Sequence, residues 1–321
     1  MRITFSFVVF SMLLLACVGA SALRCGTRAT VGGRIASPIR SSSSSAEAEA
    51  VLATASKAAR AAGELIREKV GADVIKTKAG AKDLLTEVDG HCQETIEAMV
   101  MMEHPTHTFL GEESVEPGAD ASSVALQQVA SAEYLWICDP IDGTTNFASG
   151  MPLSAVSIGV AHRGELIVGV VYDPFRDELF ESVAGGATTL NGASVRVDDA
   201  TDVGDAVVAA GSPPSARSMA PSLRGVCAIS PHVRTVRMLG SAAIMMAWVA
   251  CGRLSAYFEP DLNAWDTAAG ALLIRGAGGR VTGLDGEEYV LKTRTLLCSN
   301  GATHGKLLSM LRSADCTGLD P

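Results

Sequence analysis

Apolar residues recur at helical spacing over residues 46–70, at Val51, Ala55, Ala58, Ala62, Leu65 and Ile66, within a stretch rich in Ala, Glu, Lys and Arg. That period predicts an amphipathic opening helix ending at Gly71. A second helix is predicted through Ile96, Met99 and Val100, broken by Pro105. Thr108-Phe109-Leu110 and Tyr134-Leu135-Trp136-Ile137-Cys138 read as strands. Four further apolar segments, 153–161, 166–172, 178–183 and 193–197, are separated by turn residues such as Asp173-Pro174 and Gly185-Gly186, the pattern of an antiparallel meander. From Asp205 onward the pattern alternates: strands are predicted at 206–210, 233–239, 254–258, 280–282 and 295–299, and helices at 216–227, 241–251, 267–275 and 304–311. Residues 46–200 thus predict an α+β half and residues 201–321 an α/β half.

The first 45 residues follow different rules. Residues 1–22 have a basic start at Arg2, an apolar stretch interrupted by Thr4, Ser6 and Ser11, and the small-residue exit Ala20-Ser21-Ala22, which reads as a secretory signal peptide. Residues 23–45 carry Arg24, Arg28, Arg34 and Arg40, no acid, and five final serines, and resemble an organelle transit peptide. Together they are similar to the two-part presequence of plastid proteins in algae whose plastid came from another alga, so a plastid destination is expected, with plain secretion as the alternative.

Of the chain's 26 basic residues, five lie in residues 1–45, which hold no acid, leaving 21 basic against 35 acidic residues. A basic footprint for nucleic acid is therefore missing, although an acidic protein can bind an anionic phosphate where metal ions invert the local charge. Beyond residue 45, Cys92, Cys138, Cys227, Cys251, Cys298 and Cys316 are widely spaced with no Cys-x-x-Cys pair, which argues against a zinc site or a disulfide scaffold. No membrane anchor is expected in the mature chain.

Candidate chemistry begins after the 134–138 strand, where open sheets place their ligands. Asp139 and Asp142 flank Pro140, so both carboxylates and an intervening carbonyl can face one hard cation. Gly143 allows a sharp turn, and Thr144-Thr145 can offer hydroxyl and N–H groups to a phosphate. Taken singly, Asp139 and Asp142 would suit a surface turn, Glu112 and Glu113 after Gly111 a solvated turn, and Asp89 and Asp266 helix N-caps. Taken together, Glu112, Asp139, Asp142 and Asp266 are four carboxylates at element ends, which is what a cluster of magnesium ions needs. Gly240-Ser241 opens a helix whose free N–H groups could receive an anion.

Three motifs then resemble the inositol monophosphatase family: Gly111-Glu112-Glu113-Ser114, Asp139-Pro140-Ile141-Asp142-Gly143-Thr144-Thr145-Asn146-Phe147 and Trp265-Asp266-Thr267-Ala268-Ala269-Gly270. The likeness runs from about residue 50 to 311 and is nearest to plastid-type members of plants and algae at Tyr134-Leu135-Trp136 and Cys298-Ser299-Asn300-Gly301. It implies a layered α/β/α/β/α fold with the site between its halves and a homodimer. It implies that Glu112, Asp139, Asp142, Asp266 and the Ile141 carbonyl bind Mg2+, and that Glu112 with Thr144 orients and deprotonates the attacking water, supported by Asp89 and Thr86. Lys78 would lie near the phosphate, Gly143 and Thr144 would donate to it, and Gly240, Ser241 and Glu259 would touch substrate hydroxyls. Lithium sensitivity is also implied. One departure concerns substrate: many relatives carry a basic residue three places before the aspartate of the Trp-Asp motif, where this chain has Asn263, with Asp261 nearby.

The expected activity is magnesium-dependent hydrolysis of myo-inositol monophosphate. Histidinol phosphate and L-galactose 1-phosphate are rival substrates for the same chemistry, and a catalytically silent scaffold or regulatory protein is the alternative from another class.

Overall fold

The computed structural model describes residues 42–72, 74–77 and 84–320, so the signal peptide, nearly all of the transit-like segment and Lys78 lie outside the described residues. The opening helix α1 (Ser42–Lys69) starts slightly earlier than its periodicity predicts. Strands β1 (Val74–Thr77) and β2 (Leu84–Thr86) pair antiparallel and lead into α2 (Glu87–Glu103). Thr86, not Asp89, caps α2: its side chain accepts from the Val88 N–H, and Asp89, at the third helical position, accepts from the Thr86 N–H. This is a reciprocal capping box.

A seven-stranded sheet follows, in the order β3 (Thr108–Gly111), β4 (Tyr134–Asp142), β5 (Ala155–His162), β6 (Glu165–Asp173), β7 (Glu178–Val183), β8 (Thr189–Leu190) and β9 (Ala193–Ser194). β3 is parallel to β4 and every other pairing is antiparallel. Helix α3 (Ala119–Val129), between β3 and β4, was not expected. Only Ser122 is buried along it, while Ala125, Leu126 and Val129 are partly buried against the central core. The last segment of the meander, expected as one strand over 193–197, is reduced to the short ribbon β8–β9. After the brief helix α4 (Thr144–Ala148), the second sheet takes the order β11 (Thr235–Arg237), β10 (Val207–Ala210), β12 (Ala256–Glu259), β14 (Leu296–Ser299), β13 (Arg280–Thr282). Its first three strands are parallel, and β14 runs against both β12 and β13. The remaining helices are α5 (Ala216–Ile229), α6 (Ala242–Ala250), α7 (Ala264–Gly276) and α8 (His304–Ser313).

Strand alternation sorts the side chains into three cores. Trp136, Cys138, Val156, Ile158, Val160, Val168 and Val170 point toward α1 and α2. Leu135 and Ile137, on the other face, join α6, α7 and the near face of the second sheet at Tyr257, Leu296 and Cys298. Val208, Ala210, Phe258 and Leu297 face outward with Ile229 of α5 and Leu307 and Leu311 of α8. Five layers result, α/β/α/β/α.

The central helix α7 sets the spacing of the site. On the sheet face beneath it lie Gly159 and Gly169, opposite each other in the β5–β6 register. A Cβ on Gly159 would stand 2.6 Å from the Ala268 Cβ, and one on Gly169 would stand 2.7 Å from the Ala269 carbonyl oxygen. Both approaches are closer than real carbon contacts allow, so the glycine pair forms the notch in which the Ala-rich helix lies. Ser157, also on that face, donates to the Trp265 carbonyl at 2.9 Å and pins the start of the helix.

Gly169→Val should therefore cost about 1–3 kcal/mol by overpacking, read as a fall in urea midpoint at unchanged slope. Gly305→Ala in α8, where an added Cβ meets nothing within 4 Å, should be neutral or stabilising by up to about 1 kcal/mol. Equal effects from the two would contradict the notch.

Candidate functional site

β4 continues through the residues expected to follow it. Pairing with β5 shifts register between Asp139 and Asp142, so the strand bulges there instead of ending. Bulges re-aim side chains, and here Asp139 accepts from the Ile141 N–H at 3.0 Å. Gly143 follows at φ 95°, the left-handed region that favours glycine, and caps α4. An added Cβ there would meet the carbonyl oxygens of Leu153 at 2.9 Å and Gly240 at 3.0 Å. Thr144, first in α4, donates its hydroxyl toward Asp89 Oδ1 at 3.2 Å and the Ile141 carbonyl at 3.1 Å. Asp89 also accepts from the Thr86 hydroxyl at 2.6 Å. The structure thus brings Thr86, Asp89, Thr144 and the Ile141 carbonyl into one chain of contacts.

Asp266 arrives from the other half. It is the third residue of α7 and not its cap: Asn263 takes the cap position, and its N–H donates to Asp266 Oδ2 at 2.6 Å. With α7 seated on the glycine notch, Asp139, Asp142 and Asp266 each offer an oxygen, all within 4.8 Å of one another. Asp139 and Asp142 are buried and Asp266 is partly exposed. Glu112 opens a single 3-10 turn, Glu112–Ser114, directly after β3. It lies outside that trio, yet its charge raises the pKa of both Asp142 and Asp266.

The expectation for Gly240-Ser241 needs correction, because the anion at the start of α6 is supplied by the protein. The Ser241 hydroxyl donates to Asp142 Oδ2, as does the Ala243 N–H at 2.7 Å, while the Ala242 N–H reaches Oδ1 at 3.2 Å. A carboxylate at a helix N-terminus is favoured by the unpaired N–H groups and the helix dipole. Nearby, Asn146 donates to the Leu153 and Leu239 carbonyls at 2.8 and 2.7 Å, a second tie between the halves.

Like charges this close resist ionisation. Burial, opposed by the Ser241 and backbone hydrogen bonds, pushes Asp142 up to about 6. Burial, then the charges of Glu112 and Asp142, raise Asp266 well above the carboxylate range. An oxygen-rich, mutually repelling trio fits a hard divalent cation, which removes the repulsion.

Glu259, at the end of β12, is buried and pushed up to about 8, chiefly by burial. The buried Tyr257 hydroxyl, two residues back on the same strand face, donates to its Oε2. The missing cation at Asn263 is replaced from elsewhere: Arg294 pairs with Asp261 at 2.5 Å and donates to Asn263 Oδ1 at 2.8 Å and Ser122 Oγ at 2.9 Å. Tyr257 and Arg294 carried no local sequence signal; each is recognisable only through its long-range or cross-face partner.

With this geometry in view, residues 47–315 match the profile of the inositol monophosphatase family. The chain belongs to that family. It is 35% identical to inositol monophosphatase 2 of Solanum lycopersicum over 262 residues, covering 81% of this chain and 97% of the relative. It is also 36% identical to the Nus factor SuhB of Pseudomonas aeruginosa over 269 residues, 82% and 96% of the two chains. Among solved structures of the family, the inositol monophosphatase from Anabaena superposes with a TM-score of 0.70 at 31% identity, covering 83% of this chain and 97% of that one.

Because Asp142 and Asp266 must shed protons before they can hold a cation, binding should strengthen with pH. Millimolar Mg2+ should raise Tm by a few degrees at pH 7.5 and by less than half as much at pH 5. Asp266→Asn, which can still accept the Asn263 N–H through its amide oxygen, should abolish most of the rise. A shift equal at both pH values would show that these carboxylates are not the ligands.

Proposed function

We propose that this protein is a magnesium-dependent phosphomonoesterase acting on myo-inositol monophosphate. The observation that carries the reading is the meeting of Asp139 and Asp142 from one half with Asp266 from the other, beside the buried Glu259. Glu112, Asp139, Asp142, Asp266 and the Ile141 carbonyl would hold the ions. When bound, Mg2+ supplies positive charge against the phosphate and against the departing alkoxide. Thr144, whose hydroxyl proton is directed to Asp89 and the Ile141 carbonyl, keeps oxygen lone pairs to accept from a water, and Glu112 takes that water's proton. The N–H groups of Gly143 and Thr144, at the start of α4, donate to the phosphate. The attack needs no covalent enzyme intermediate.

Glu259 would accept from a leaving-group hydroxyl, and Tyr257 already satisfies one of its oxygens. Gly240 and Ser241 would border the same hydroxyls, although Ser241 is engaged by Asp142. A buried carboxyl left unpaired by a substrate lacking hydroxyls costs about 1–3 kcal/mol. The similarity to SuhB Nus factors favours a second reading, a binding protein on the same fold. A binding role does not require three crowded carboxylates, whose mutual repulsion is a cost, so the enzymatic reading is preferred. The wider reading includes lithium inhibition, a homodimer and delivery to a plastid by residues 1–45, each suggested by the family resemblance or the presequence pattern.

Purified protein should release phosphate from myo-inositol 1-phosphate only with Mg2+, faster than from histidinol phosphate or L-galactose 1-phosphate, and lithium should suppress the release. Absence of Mg2+-dependent release from all three would overturn the enzymatic reading. Glu259→Gln should lower kcat/KM on inositol phosphate roughly tenfold while changing p-nitrophenyl phosphate hydrolysis far less. Equal losses would assign Glu259 to the metal site or the fold.

A further inference from the structure

The Glu112 turn is short. It is three residues long, its cap residue Gly111 contributes no side-chain bond, and the Val115 N–H closes it onto the Glu112 carbonyl at 3.0 Å. Helix α2 braces it from one side. Gln93, 6% exposed, accepts from the Glu113 N–H at 2.8 Å through Oε1 and donates to Ser114 Oγ at 2.8 Å through Nε2. The turn sits close against this amide. A Cβ on Gly111 would stand 2.1 Å from Gln93 Oε1 and 2.4 Å from its Cδ, so any larger residue there would push the amide out of this position.

One turn earlier on the same helix face lies Asp89, whose carboxylate receives the Thr144 hydroxyl. Asp89 and Gln93 are separated by about 6 Å along the axis at 1.5 Å per residue. α2 therefore grips both groups assigned to the attacking water, Thr144 through Asp89 and Glu112 through Gln93. The β3–β4 ladder, which pairs Gly111 with Cys138, fixes the same turn relative to Asp139. A movement of the turn would shift Glu112 relative to Asp139 and Thr144.

We propose that Gln93 is a positioning residue that holds the Glu112 turn in register with Asp139 and Thr144, making α2 the ruler of the water-activating side of the site. The proposal rests on the phosphomonoesterase reading for its catalytic consequence, but its structural content concerns only how Glu112 is presented to a cation. Groups that orient metal ligands typically matter 10- to 100-fold for metal affinity or activity when removed. An amide is well suited here because a single planar group must accept from one partner and donate to another.

The test compares wild type with Gln93→Met, which keeps the volume and removes both hydrogen bonds, and Gln93→Asn, which withdraws the amide by one methylene. Mn2+ binding to the whole protein is measured by electron paramagnetic resonance without substrate, alongside kcat and KM for inositol 1-phosphate and urea unfolding. Expected are Mn2+ affinity and kcat each reduced roughly tenfold or more in Gln93→Met with KM changed less than threefold, and a smaller loss of the same kind in Gln93→Asn. If Gln93→Met does not fold, Gln93→Asn decides alone. A lowered urea midpoint with Mn2+ affinity within twofold of wild type would make Gln93 merely structural and overturn the proposal. Wild-type protein that binds Mn2+ yet releases no phosphate would sink the phosphatase reading while the affinity comparison still decides Gln93. Failure of wild type to bind Mn2+ would overturn both.

Discussion

The contact on which the site depends is the seating of α7 on the paired glycines of β5 and β6. Helices usually keep some 8–10 Å from their neighbours because side chains intervene, but here Ala268 and Ala269 rest almost directly on backbone. That depth, with the Ser157 bond to Trp265, brings Asp266 within reach of Asp139 and Asp142. The same surface would otherwise carry large apolar side chains. Its smallness is therefore a positional requirement of the chemistry and gives up contact area to meet it.

Charge distribution follows from that approach. Two carboxylates from one strand and one from helix α7 are driven together with Glu112 near, and Asp142 is partly relieved by the N-terminus of α6. The helix thus does locally what a cation would do for the whole group. Because Ser241, Ala242 and Ala243 all donate to it, Asp142 also joins the two halves mechanically. Asn146 strengthens the same seam through the Leu239 carbonyl.

Much of this was legible in the sequence where function and local geometry coincide. Asp139, Asp142 and Asp266 stand out because acids beside glycine, proline and short apolar runs make poor core, and the change of period near residue 200 separates an α+β from an α/β pattern, while the layered order was expected from the family resemblance. What escaped has a consistent physical cause. Asp89 and Asp266 were found as site residues, but their place in the helix was not: each reads as an N-cap, since a capping box uses an acid three residues further on as readily as at the cap itself. Gln93, Tyr257 and Arg294 act through partners that are distant in sequence or across a strand face. The β4 bulge could not be foreseen from composition, and the apolar set of α3 is confined to Ala125, Leu126 and Val129 in its second half.

The order of the layers also bears on synthesis. The seven-stranded sheet is complete once residue 194 has been made, yet the face that α6 and α7 cover, with Leu135, Ile137 and the glycine notch, waits for residues 242–276. During translation an apolar sheet surface must stand open while about 50 to 80 further residues emerge, several seconds at ribosomal rates of roughly 5–20 residues per second. A nascent chain in that condition is a natural client for chaperones. Because Asp266 arrives with α7, each molecule gains its site only after most of the polypeptide has been made.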